Sequence, residues 1–413
     1  KRGVATLEAK TIAKKEKIKT SALVRSIARG RAVVLVGDGC VCGVGEGLAT
    51  KINANIGASP DYISTKNEIK KLKTAVATGA DTVMDLSIAG PLDDILCAIL
   101  KNSAAPIGTV PIYRAARSAL DKGGKIYDMS EDDIFNAIQK HISLGASFLT
   151  LHAAITQEGV RLAGKRVLGI VSRGGCFLAT WMLHSKRENP LYKNFDYILE
   201  MLSERDVVIS IGDALRPGAL SDANDAAQLH ELKVQGELTR RAHARNVSVI
   251  CEGPGHMPLN TIARNVALQK RICRGAPYYV LGPLVTDIAA GYDHINAAIG
   301  GALAAVAGAD FLCVVTPSEH VALPDEEDVR EGVVAAKIAA HTADIVKLGR
   351  SKKDFEMGKA RAQLNWAKQF SLALDPTRAR GYRRKRGTRS SACSMCGDFC
   401  AIKLMRNARQ TKQ

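Results

Sequence analysis

Apolar, β-branched runs of five to eight residues recur along the chain, each followed by a polar or glycine-rich turn and then a stretch of helical length. The runs are TVMDLS from Thr82, IGTVPIY from Ile107, SFLTLHA from Ser147, LGIVSRGG from Leu168, VVISIGD from Val207, VSVICEGPGH from Val247, YYVLGPL from Tyr278 and FLCVVTPSEH from Phe311. Helix-length segments such as 131–144, 223–245 and 325–348 lie between them. Continuous apolar strands alternating with helices predict a parallel sheet covered on both faces. Eight units favour closure into a (βα)8 TIM-like barrel of the α/β class. KINANIG at 51–57 is a ninth candidate strand, so one of the nine is expected to be a loop or an extra element.

Nearly every run ends in a polar residue: Asp85, Tyr113, His152, Ser172 with Arg173, Asp213, Glu252 with His256, and Glu319 with His320. Barrel active sites are built from strand C-termini, so a converging set of this kind predicts a site. The pattern predicts three regions. Residues 1–50 read as a small helical N-terminal cap, with GDGCVCGVGEG at 37–47 as a turn-rich connector; 51–350 read as the barrel. Residues 351–413 read as a helical stretch, a basic linker and a cysteine segment.

Composition changes this picture little: 46% hydrophobic and 24% charged residues describe an ordinary globular chain. Without a spanning run of apolar residues or an apolar signal core at the basic start, a cytoplasmic protein with no membrane partner is expected. The net charge of +17 is concentrated in two stretches, 10–19 and 378–389 (RARGYRRKRGTR). Neither interleaves aromatics as a base-stacking platform does, so a solvated face is expected over nucleic-acid binding. An anionic substrate would also favour a positive field.

Chemistry concentrates in a few places. Cys393-Ser-Met-Cys396-Gly-Asp-Phe-Cys400 offers three thiols, suited either to an iron–sulfur cluster with one iron left open or to zinc with a fourth ligand from elsewhere. Ser172-Arg173-Gly174-Gly175 and Asp213-Ala214-Leu215-Arg216-Pro-Gly combine backbone amides beside glycine with guanidinium forks, as a phosphate requires. His256 and His320, with nearby carboxylates, suit either a divalent metal or structural hydrogen bonding. Cys176, Cys251, Cys273 and Cys313 are expected to be buried packing thiols.

The segments NANIG, GADTVMDLS, PIGTVPIY, IVSRGG, LRPG, ANDAAQ, EGPGH, LGP, TDIA, GYDHI, IAAH and CSMCG, in this order, resemble the phosphomethylpyrimidine synthase family, the thiamine-pyrimidine enzymes, in their short form. The resemblance spans 45–402. It implies a homodimeric radical S-adenosylmethionine enzyme converting 5-aminoimidazole ribotide into 4-amino-2-methyl-5-phosphomethylpyrimidine. An electron donor such as flavodoxin or ferredoxin is implied with it. Cys393, Cys396 and Cys400 would hold a [4Fe–4S] cluster that generates the radical. Asn55, Met84, Tyr113, His152, Ser172, Arg173, Gly174, Asp213, Ala214, Leu215, Arg216, Glu252 and Tyr279 would bind the ribotide. His256 and His320 would hold zinc or another divalent metal. The chain departs from the family pattern in its shortened CxxCxxxC spacing, in Ile88-Ala89-Gly90, and in Ala153, Ala154, Ala214 and Ala290. A sister family, the 5-hydroxybenzimidazole synthases, uses the same ribotide and is the alternative; a basic nucleic-acid-binding protein with structural zinc is the reading from another class.

Overall fold

A computed structural model describes residues 4–387 and 390–410. The chain divides into two compact units, one ending at Asp344 and the other beginning at Ile345.

The first unit opens with helices Leu7–Glu16 and Thr20–Ala28 and an antiparallel hairpin, β1 (Ala32–Gly37) and β2 (Cys40–Gly45). The expected connector at 37–47 is therefore largely a strand. Its signal is Asp38-Gly39 between apolar runs, the dipeptide that a tight hairpin turn selects, and Gly39 has φ +65°. The barrel follows: β3 (Lys51–Ile56), β4 (Thr82–Asp85), β5 (Ile107–Thr109), β6 (Phe148–Leu151), β7 (Val208–Ile211), β8 (Val249–Gly253), β9 (Tyr278–Leu281) and β10 (Phe311–Cys313). All neighbours are parallel, and β10 pairs with β3 to close the ring.

Of the nine candidate strands, KINANIG is β3 and the run from Leu168 is not a strand. The amides of Val167 and Leu168 bond the Asp222 carboxylate (3.1 and 3.4 Å) in place of a sheet neighbour. Ser172 then caps helix Arg173–Ser185, its hydroxyl accepting from Gly175 N–H. The polar content of β3 has a tertiary cause. Lys51 is buried in an ion pair with Glu16 of the first helix (2.8 Å), while Asn53 and Asn55 hydrogen-bond inside the barrel.

Local signals place the helices. Ser130 and Asp133 form a reciprocal capping box at the start of helix Glu131–Leu144, and Gly145 closes it in the left-handed region. The lower barrel interior is aromatic: Phe311 lies 6.3 Å from Phe148 and 4.4 Å from Tyr279, between ring centroids. Gly108 on β5 is required there, since a Cβ would stand 2.2 Å from the Phe148 ring. The interior also holds polar pairs, Thr82 donating to Asn53, while Thr150 and Ser210 both donate to Glu252 near the end of β8. Core below and polar groups at the strand C-termini is the arrangement that makes one end of a barrel a site.

The second unit contains helices Lys352–Ala362, Trp366–Leu372 and Pro376–Lys385, then the cysteine segment and helix Ala401–Gln410. Most of the expected basic linker is thus helical; Thr388 and Arg389 lie outside the described residues, as do residues 1–3 of the cap. Among the described residues, no helix is long and apolar enough to cross a membrane.

Candidate active site at the barrel mouth

Asn55, Met84, Tyr113, His152, Ser172, Asp213, Arg216, Glu252 and Tyr279 line one cavity, drawn from six strand ends and three following segments. Tyr113 comes from the first turn of helix Pro111–Asp121, and Ser172 is the N-cap of helix Arg173–Ser185. Arg173 is exposed, with its guanidinium 5.4 Å from the Tyr113 ring. Gly174 packs so tightly on His152 that a Cβ would stand 2.4 Å from the imidazole. Ala214 and Leu215 are fully buried and do not line the cavity; they form the turn that presents Arg216.

That turn is clamped from behind by residues the sequence did not single out. Arg166, buried, donates to Leu215 O (2.7 Å) and Arg216 O (3.3 Å) and grips Asp225 with two N–H groups (2.7 and 2.8 Å). Glu231 accepts from Leu215 N–H (2.9 Å) on the same turn. Arg216 in turn donates to Asp213 (2.9 Å). A buried guanidinium each of whose three nitrogens finds oxygen fixes a turn in a way a surface pair does not.

The electrostatics follow from burial. Burial pushes the Asp213 carboxyl up to about 7, outweighing the Arg216 guanidinium beside it, and the nearby Glu252 charge adds to the rise. Glu252 is also raised by burial, against the hydroxyls of Ser210 (2.6 Å) and Thr150 (2.7 Å), which both donate to the same carboxylate oxygen. His152 is driven down to about 3, by burial first and by the Arg216 charge second. Its Nδ1 is buried and, among the described residues, has no hydrogen-bond partner. Burial also raises the Tyr113 phenol. The cavity therefore holds a neutral imidazole and one carboxyl, Asp213, poised to exchange a proton near neutrality, a combination typical of functional sites.

Cys313 lines this cavity and is not merely a packing thiol. Its sulfur accepts from Asn55 Nδ2 (3.1 Å), Tyr279 bonds it too, and Asn53 donates to the Tyr279 hydroxyl (2.8 Å). Cys176 departs from expectation in the other direction, being exposed on its helix. Cys251 and Cys273 are buried, with Cys251 3.4 Å from the Thr239 hydroxyl.

His256 follows β8 and His320 lies in a turn beyond β10, not at a strand end; their ring centroids are 5.2 Å apart. Each uses Nδ1 on a carboxylate, His256 on Asp287 (2.7 Å) and His320 on Asp293 (3.0 Å). In the second unit, backbone amides of Met395 and Cys396 bond the Cys393 sulfur and hold its pKa below the ordinary thiol value. Cys396 is exposed and Cys400 buried. Among the described residues, no three His, Cys, Asp or Glu side chains come together at metal-holding distance.

A family model described as the Radical SAM ThiC family matches residues 1–407. Phosphomethylpyrimidine synthase of Dehalococcoides mccartyi is 51% identical over 412 residues, covering 98% of this chain and 96% of that protein. The phosphomethylpyrimidine synthase of Thermococcus kodakarensis shows the same identity and coverage. Phosphomethylpyrimidine synthase 2 of Syntrophotalea carbinolica is 50% identical over 424 residues, covering all of this chain and 98% of that one.

Proposed function

The chain belongs to the Radical SAM ThiC family, and from that premise we propose that it converts 5-aminoimidazole ribotide into 4-amino-2-methyl-5-phosphomethylpyrimidine, using S-adenosylmethionine. The observation that carries this reading is the meeting of Asn55, Met84, Tyr113, His152, Ser172, Asp213, Arg216, Glu252 and Tyr279 around one cavity at the barrel mouth. A small phosphorylated ring compound needs an anion grip at one end and neutral polar groups at the other, and this lining offers both.

Arg216, Arg173 and Ser172 bind the phosphate; the guanidinium of Arg216 is aimed by the clamped turn behind it. Glu252, with one oxygen held by two hydroxyls, keeps its other oxygen for an amine or hydroxyl of the ligand. Asp213, raised to about 7, holds or releases a proton near neutral pH, while His152, lowered to about 3, stays a neutral imidazole there. Asn55, Tyr279 and Met84 shape the ring end of the cavity.

The donor types, though not gathered at metal-holding distance among the described residues, are those the family's groups take. Three thiols within the 393–400 segment, one already receiving amide hydrogen bonds, suit a [4Fe–4S] cluster with an open iron. Bound there, such a cluster supplies the electron for reductive cleavage of S-adenosylmethionine. His256 and His320 suit zinc or another divalent ion, because a carboxylate on each Nδ1 fixes the tautomer that leaves Nε2 for metal. A homodimer and a separate electron donor complete the reading.

Anaerobic incubation of the reconstituted enzyme with ribotide, S-adenosylmethionine and a chemical reductant tests it, with the product identified by mass. The phosphomethylpyrimidine is expected. Hydroxybenzimidazole in its place would transfer the chain to the sister activity, and no consumption of ribotide would remove the substrate assignment.

A further inference from the structure

The chain's positive charge is not spread over the molecule. Residues 1–344 hold 40 Lys and Arg against 37 Asp and Glu, so that unit is nearly neutral. Residues 345–413 hold 18 against 4, and therefore carry most of the chain's net +17. This concentration lies in the unit that bears the three cysteines.

Within that unit the charge is organised. Helix Pro376–Lys385 ends in Arg383, Arg384 and Lys385, followed by Arg386; Arg384, Lys385 and Arg386 are exposed. Cations at a helix C-terminus are stabilised by the dipole, so the end of this helix tolerates the clustering. The helix is tied to the cysteine segment through one residue. Arg383 stacks 3.8 Å over the Trp366 ring, and Trp366 Nε1 donates to Ser391 O (2.8 Å), two residues before Cys393. The positive helix end and the cysteines thus belong to one surface.

We propose that this surface docks an acidic one-electron carrier protein. The inference rests on the radical S-adenosylmethionine reading above, since that chemistry takes one electron per cleavage from outside the chain. In the docked complex the carrier's reduced group is oxidised by one electron and the cluster is reduced by one, with no proton or bond exchanged. A positive rim beside the acceptor steers an acidic partner and orients it, raising the encounter rate in a salt-dependent way. Nucleic acid is the less favoured occupant. Arg383 covers Trp366 and Arg380 lies 6.0 Å from the Phe370 ring, so those faces are engaged by guanidinium and not presented for base stacking.

The test compares the reconstituted full chain with an Arg384→Glu/Lys385→Glu/Arg386→Glu variant, using reduced flavodoxin, an acidic carrier, as the probe. Carrier binding is followed by fluorescence anisotropy, and S-adenosylmethionine cleavage is driven either by the carrier or by dithionite. Equal iron content and equal thermal unfolding establish that the variant is intact. The expected result is binding weakened at least about tenfold at low ionic strength, with its salt dependence flattened, carrier-driven cleavage reduced and dithionite-driven cleavage unchanged. Unchanged carrier binding and carrier-driven cleavage would overturn the proposal. So would a wild-type chain that binds a single-stranded oligonucleotide in preference to the carrier, with only that binding lost in the variant. Absence of dithionite-driven cleavage in the wild type would overturn the radical reading itself, and this surface assignment with it.

Discussion

Arg216 is the guanidinium in the lining of the cavity, and on the proposed function its value lies in the fork of that group. Arg216→Lys keeps the charge and loses the paired donors, so ribotide affinity should fall by roughly 1.5–3 kcal/mol, the scale of a hydrogen bond to a charged group. Calorimetric titration with the ribotide measures this directly; unchanged affinity would place the phosphate elsewhere. A second residue-scale prediction concerns protons. His141, bonded to the Thr109 hydroxyl and buried, is lowered to about 4, and His152 to about 3, both below the ordinary 6.5 of imidazole. Between about pH 6.5 and 4 the unfolded chain therefore takes up protons that the native chain refuses, and these groups cost stability as pH falls. Asp85 and Asp213, raised to about 6 and about 7, act in the opposite direction over the same range. Comparison with His141→Asn separates the two: the wild type's stability advantage over the variant should shrink on acidification, by up to ~3 kcal/mol. Denaturant unfolding at pH 7 and pH 4.5 reads it, and a constant difference would show that His141 titrates normally in the fold.

At the scale of elements, the site depends on how helix starts and turns meet the strand ends. Helix Arg173–Ser185 begins against the His152 ring, with Gly174 allowing the approach. Gly174→Ala should push the imidazole from its place, weakening ribotide binding more than it lowers the melting temperature; a protein that binds ribotide normally would show that the ring position is immaterial. The turn after β7 depends on Arg166 in the same way. Arg166→Met removes the bonds to Leu215 O, Arg216 O and Asp225, so the ribotide KM should rise several-fold with less change in kcat. A matching loss in both, or in neither, would deny it a positioning role. The strand pattern was legible because apolar runs between helices are periodic in the sequence. The one run misread, at 168–175, is apolar too; the amides where it begins, of Val167 and Leu168, are claimed by Asp222, fifty-odd residues away, and no local pattern records that.

For the whole molecule, the division at Asp344 and Ile345 separates a barrel with its own large core from a unit with few buried apolar side chains. Cys396→Ala should abolish S-adenosylmethionine cleavage while leaving the cooperative unfolding of the barrel unchanged, because none of the buried core cluster includes the cysteine segment. Calorimetry of the variant checks the second half; a large drop in melting temperature would make the cysteines structural and favour zinc. Metal analysis of a triple cysteine variant should still find one divalent ion per chain, retained through His256 and His320. Its loss there, with retention in His256→Ala, would reassign the metal.

The barrel class, the helix boundaries near 131–144 and the residue types at the strand ends were all readable from the order of the amino acids, because periodicity and capping act over a few residues. The family motifs were readable for the same reason, each being a short local string. Only the tertiary structure decided that nine of those dispersed residues line one cavity, that Cys313 joins them, and that Arg166, Glu231, Thr150 and Ser210 hold the functional groups in place. It also decided the protonation of Asp213 and His152, which depends on how completely each is removed from water and on which charge stands beside it. Burial and long-range contact are properties of the closed ring of strands, and closing that ring brings together residues that the chain keeps up to two hundred and more positions apart.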